Sequence, residues 1–172
     1  TFGAALAGSL TTAGDIDTSD DNVTFTNPVT LSGNVDIDTV GTAAGNILFS
    51  STIATGGNDL ALDAGAAGNI TLSAALTGGG NVTVRDGDVQ SYSALTLNSL
   101  NILDATTSVT FTGDVAATTT VDVNSGGSID QTVTGAITTA SNVNYDAGTT
   151  IDINAGITNS GTVDIDSTGT TT

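Results

Sequence analysis

Carboxylates in fixed alternation are the residues of this chain best placed to do chemistry. Asp15-Ile16-Asp17, Val35-Asp36-Ile37-Asp38, Val121-Asp122-Val123-Asn124 and Val163-Asp164-Ile165-Asp166 share one pattern, apolar and polar by turns. If the alternation is that of a strand, the acidic side chains share one face and the Val and Ile side chains the other. Stacked copies of the strand would align an outward column through Asp17, Asp38, Asp63, Arg85, Leu103, Asn124, Asp146 and Asp166. Two carboxylates about 5 Å apart repel by roughly 1 kcal/mol in water and by more at lower dielectric, so such a column favours a counter-cation. Arg85 can supply one beside Asp63. Calcium, a hard ion that prefers oxygen ligands, could bridge others, and Asp15, Asp17, Asp36, Asp38, Asp164 and Asp166 are the candidate weak calcium sites. The plainer alternative is that the carboxylates splay into water and keep the surface soluble. Neither reading requires a cofactor.

Other motifs carry less. Arg85-Asp86-Gly87-Asp88 offers the paired carboxylates of a sugar hydrolase. Asp-Gly after a strand is more simply a corner, and a chain without His, Lys, Cys or Glu has few groups to serve as nucleophile or tuned base, so we expect no enzyme. Gly56-Gly57-Asn58-Asp59-Leu60-Ala61-Leu62 has the flavour of a calcium β-roll but lacks the strict nine-residue period. Thr24-Phe25-Thr26 and Thr110-Phe111-Thr112 could build a flat ice-binding face only if the pattern recurred on one side of every turn, and no such recurrence is evident. Surface glycans would need an aromatic platform. Tyr145 follows an inward track, which leaves Tyr92 as the expected exposed ring.

The elements that must position these residues follow from composition and period. The chain has 172 residues, 18 of them acidic and all Asp, one cation, Arg85, and a net charge of −17. That balance excludes nucleic acid as an expected partner, since phosphate contacts need clustered Lys and Arg. No apolar run approaches the length of a membrane span, so membrane insertion is not expected. Thr and Val favour a half-buried pleated surface, whereas Gly, Asn and Asp favour corners. Asn46 to Gly68 and Asn69 to Asp88 nearly repeat one another, each with two short apolar alternations joined by Gly-rich corners. Inward residues then recur on three tracks. The first starts at Phe2, Val23, Ile47, Ile70, Val89, Val109, Ile129 and Ile151. The middle one passes through Val29/Leu31, Ile53, Leu76, Leu95/Leu97, Val115, Ile137 and Ile157, and the last through Ile16, Ile37, Leu62, Val84, Ile102, Val123, Tyr145 and Ile165.

This pattern predicts an all-β, single-stranded parallel β-helix, a β-solenoid of about eight rungs of roughly 19–25 residues occupying 1–172 as one segment. Phe25 is expected to lie over Phe49, and the Asn residues at 22, 34, 46, 58, 69 and 81 to form corner ladders. Solenoid ends are open sheet edges, so Phe2, Leu6 and Ile16 at one end and Ile151, Val163 and Ile165 at the other are the expected assembly edges. Their partners would be neighbouring solenoid repeats or identical subunits, and a start without Met suggests a piece of a longer chain.

The stretch Ile70 to Val84, and its echo from Ile47 to Leu62, resembles the repeat regions of large bacterial surface exoproteins, the filamentous-haemagglutinin-like and related β-strand-repeat adhesins and surface-layer proteins. The resemblance implies a right-handed parallel β-helix, export to the cell surface, and a role as stalk, adhesin or surface fibre. The secretion domain of that family is missing, because Asn27-Pro28-Val29 does not match its Asn-Pro-Asn-Leu type motif. The alternatives are a self-assembling filament, sheath or surface-layer subunit and a glycan-binding module.

Overall fold

A computed structural model of the chain describes residues 8–132, 134–139 and 141–172. Among these residues there is no helix, and every strand pairing is parallel and joins one turn to the next, giving a β-solenoid of about seven turns. The eight expected rungs include one that starts at Phe2, which, with Leu6, lies outside the described residues.

Three sheets form the walls. The first holds eight strands, from Leu10–Thr12 to Ile157–Asn159, and is called the threonine sheet below. The second, the aspartate sheet, holds eight strands from Ile16–Asp17 to Val163–Ser167. The third, the aromatic sheet, holds seven, from Val23–Phe25 to Ile151–Ile153. Strands of two to five residues are stable here because all but those at the ends of each sheet lie between two neighbours, and alternation sends every second side chain into a shared interior. Backbone N–H groups continue the pairing around corners: Thr18 donates to Asp38 O at 2.9 Å, Thr39 to Asp63 O at 2.9 Å and Ala64 to Asp86 O at 3.0 Å.

The interior is one apolar column. Phe25 stacks on Phe49 with centroids 4.5 Å apart and planes at 14°, as the spacing predicts. Leu95 and Leu97 sit in the threonine sheet beside Val115 and Ala117, also as predicted. One strand departs from expectation. Val89 is not an inward residue: it pairs with Ser108 and is 38% exposed, while Gln90 and Tyr92 are buried. A one-residue slip reverses every side chain of a strand, and this slip exchanges a Val for the larger ring of Tyr92, which packs 5.9 Å from Phe111. Its cost, a buried amide and hydroxyl, is offset by hydrogen bonds. Tyr92 Oη donates to Gln90 Oε1 at 2.7 Å, and Gln90 Nε2 donates to Asp104 O at 2.7 Å.

Glycine is required where turns touch. A Cβ on Gly80 would collide with the backbone carbonyl of Asn58 in the turn beneath, and Gly56 at that corner adopts a φ of +61°. Most of the Asn residues do form ladders, but Asn58 does not: its side-chain amide donates to Leu31 O at 3.0 Å and Thr55 O at 2.9 Å, and Asp59 Oδ1 accepts the N–H of Asn81 at 3.0 Å in its place. The side-chain oxygen of Asn22 accepts the N–H of Asn46 at 2.8 Å, Asn46 accepts that of Asn69 at 2.8 Å, and Asn69 that of Val89 at 3.1 Å. Asn34 does the same for Asp59, at 2.9 Å.

Candidate functional site

The outer surface of the aspartate sheet gathers the chemistry. Asp17 pairs with Asp38, Asp38 with Asp63, Asn124 with Asp146 and Asp146 with Asp166, so the expected column exists in its first three and last three turns, but Asp63 pairs with Asp86 rather than with Arg85. At its middle the strand Val82–Asp86 carries a register shift: Val84 faces Leu62 but Asp86 faces Asp63, which leaves Arg85 as the extra residue of a β-bulge. Freed from the ladder, the Arg85 side chain turns back across two turns. Its Nε donates to Asp63 Oδ2 at 3.0 Å, and its Nη1 and Nη2 form a two-pronged contact with Asp36 at 2.8 and 2.7 Å. Asp38 Oδ2 stands 3.7 Å from Nη2. Ala61 lies between Asp36 and Thr83 in register, and its short side chain leaves the path to Asp36 open. Only a planar fork with several fixed donors can hold two carboxylates from different turns at once. The hydrogen bond to Asp36 is the largest influence on the guanidinium and raises its pKa further, so the charge is permanent.

Sequence spacing placed Arg85 beside Asp63 but missed the reach to Asp36. Nothing in a rung-by-rung alignment marks the bulge.

Asp86 is the second unusual group. Its Oδ1 is buried without a hydrogen-bond partner among the described residues. Burial, then the charges of Asp104 and Asp63, push its pKa up, against a backbone hydrogen bond from Gly87 that lowers it. It shares a concavity of about 380 Å³ with Arg85, between the segment Val40–Ala43 and the turn Gly65–Ala67. That segment is anchored by Asp20, whose Oδ1 accepts the N–H of Ala43 at 2.6 Å, and by Thr39 Oγ1, which donates to Gly45 O at 2.6 Å. A larger, shallow groove of about 640 Å³ runs beside the other end of the same strands, edged by Asn34, Asp36, Asp59, Asn81, Asn101 and Asp122.

The six Asp residues expected to hold calcium fall into two groups at opposite ends of the column. Asp15, Asp17, Asp36 and Asp38 lie on the first two turns, where Asp36 is engaged by Arg85, and Asp15 Oδ1 accepts the N–H of Asp36 at 3.0 Å. Asp164 pairs with Asn144 and Asp166 with Asp146, turns away. Among the described residues no three carboxylates converge on a point where a metal could sit.

The expected assembly edges are also sorted. Ile16 is half-buried, and its strand stands at one end of the aspartate sheet. Ile151 is not an open edge: it is fully buried, its N–H donates to Thr170 O at 3.0 Å, and Thr172 N donates back to Ile151 O at 3.0 Å. The last residues of the chain cover it because their own N–H and C=O groups need partners. Val163, 45% exposed, and Ile165, half-buried, lie on a strand that is paired on one side only among the described residues. Tyr92 is not an exposed platform. It is interior, and burial raises its hydroxyl pKa, as it does that of Tyr145. Among the described residues every Phe and Tyr is buried.

The threonine sheet presents a surface that rung-by-rung reading overlooked. Its central outward column pairs Thr11 with Thr30, Thr30 with Ala54, Ala54 with Thr77, Thr96 with Ala116, Ala116 with Thr138 and Thr138 with Thr158. Thus a single column of Thr, shared with Ala, recurs on this face, whereas the Thr-Phe-Thr motifs lie on the aromatic sheet, where Thr24 pairs with Leu48 and Thr110 with Asp130, so that pattern does not recur, as expected. The signal lies in the residue after each middle-track anchor, Val29, Ile53, Leu76, Leu95, Val115, Ile137 and Ile157. Charge is segregated accordingly: nine of the 18 Asp and the one Arg lie on strands of the aspartate sheet, and none lies on a strand of the threonine sheet.

No family model, curated protein or solved structure matches this chain. Its functional reading therefore rests on its own geometry.

Proposed function

We propose that the chain is a structural rod, a stalk segment of a secreted bacterial adhesin or surface fibre. The observation that carries this reading is the uninterrupted stacking of three parallel sheets around one apolar interior. An assembly in which each strand pairs only with strands of the adjacent turns gains length without changing cross-section, which is what a spacer needs. Eight strands at about 4.8 Å give a body on the order of 40 Å long. The resemblance to exoprotein repeats supports the extracellular, bacterial setting, and the absence of His, Lys, Cys and Glu supports a non-catalytic role. Electron microscopy of the purified chain, with calcium and with chelator, tests it. Isolated short rods in both conditions are expected, and globular particles would overturn the reading.

One observation favours a second reading, a self-assembling filament or coat subunit. The strand Val163–Ser167 is paired on one side only among the described residues and exposes Val163. An identical subunit stacked end to end would cover that edge by strand addition. Long fibres with an axial repeat of about 40 Å would establish this alternative, and fibres formed only with calcium would give the Asp column a part in assembly.

A further inference from the structure

The geometry points to the outer face of the threonine sheet as a self-association surface, on which a second copy of this chain packs side by side, face to face. Electrostatics selects the face. Each copy carries a charge of −17, and opposing two aspartate sheets would set carboxylate against carboxylate at roughly 1 kcal/mol or more per close pair. The aromatic sheet carries Asp130 and Asp152 at adjacent outward positions. The strands of the threonine sheet bring no charge at all, and Asp114, one residue before the strand Val115–Ala117, stands only at the margin.

Shape selects the partner. Thr and Ala are short, so two such faces approach closely and lose little side-chain entropy on contact. Their ridges recur at the strand spacing of about 4.8 Å, and a surface corrugated at that period meshes with another of the same period. A second copy supplies the match by construction, whereas an arbitrary globular partner does not. Eight strands give a face about 40 Å long, and three residues with their corners about 15 Å wide, so a pair covers roughly 1,200 Å² in all. That is the lower end of specific interfaces and fits a weak, two-fold symmetric pair.

Sedimentation equilibrium of the 172-residue chain tests the proposal, over micromolar to millimolar concentration and at low and high salt. A monomer–dimer equilibrium is expected, tighter at high salt, where the net charge is screened. Thr96→Glu, an exposed substitution near the centre of the face, is expected to weaken pairing at least tenfold, because the introduced charges face one another across the two-fold axis. Asn124→Asp adds one charge on the aspartate face and is expected to leave pairing within about twofold, since exposed charges further apart than the Debye length are screened. Circular dichroism checks that both variants keep the β fold. A chain that stays monomeric under every condition, a Thr96→Glu variant that pairs like the parent, or an Asn124→Asp variant that is weakened equally would each overturn the proposal. A monomer that arrests growing ice crystals would also overturn it and assign the face to ordered water instead.

Discussion

Replacing Arg85 by Gln removes the one fixed cation of the aspartate column while keeping most of the side chain's length. The loss can be worked out from its contacts. The two-pronged hydrogen bond to Asp36 is charge-assisted, but Arg85 and Asp36 are 34% and 40% exposed, so it contributes about 1 kcal/mol after solvent screening. The bond to Asp63, whose side chain is 16% exposed, adds about another 1 kcal/mol. Without the guanidinium, Asp36, Asp38 and Asp63 face one another unscreened, at a cost of up to about 1 kcal/mol. The Arg85→Gln chain should therefore be about 2–3 kcal/mol less stable in urea denaturation at low salt, and the deficit should shrink towards half at 1 M salt, where the Debye length is about 3 Å. Hydrogen exchange should accelerate first along the strands the clasp joins, Val35–Asp38, Leu60–Asp63 and Val82–Asp86. A deficit under about 0.5 kcal/mol, the size of an ordinary surface substitution, would refute the view that Arg85 clamps three turns.

Four further outcomes follow from the same geometry. Asp86 has a folded-state pKa above its unfolded value, so its ionisation opposes folding; this penalty is fully present above the raised pKa and is relieved as pH falls through it towards the unfolded value. Asp86→Asn should thus be more stable than the parent at pH 7, and their difference should narrow on acidification in paired denaturation curves. Gly80→Ala drives a methyl into the Asn58 carbonyl and should cost about 2–4 kcal/mol, read as a lowered urea midpoint. Tyr92→Phe leaves the Gln90 side-chain oxygen without its donor and should cost about 1–2 kcal/mol by the same assay. Trypsin has one site, after Arg85; because that residue is clamped on a paired strand, cleavage at native temperature should be slow and should track global opening in timed digests.

The sequence carried the architecture further than the site. The three inward tracks, the Phe25–Phe49 stack and the two ends of the Asp column were all readable, because periods of two within a strand and of about twenty between turns are one-dimensional facts that survive folding. Tyr92 was misplaced because Val89 and Tyr92 compete for the interior with opposite registers, and only the packing space beside Phe111 decides between them. The reach of Arg85 to Asp36 was hidden for a related reason: it depends on a bulge and on the small Ala61, features whose meaning appears only when three turns are laid side by side. The Thr/Ala column was present in the text but spread over strands of two or three residues separated by corners of unequal length.

The corner ladders also have a direction. In each of the pairs Asn22–Asn46, Asn46–Asn69, Asn69–Val89 and Asn34–Asp59, the side-chain oxygen belongs to the earlier turn and the N–H to the later one. A chain that emerges N-terminus first therefore lays down each acceptor before its donor arrives, and every completed turn is a template whose next hydrogen bonds wait for the following twenty or so residues. Closing one turn on such a template costs a short loop of entropy, whereas closing any distant pair costs a longer one. Growth by addition at one end is then the low-barrier route, with chain direction and time pointing the same way along the rod.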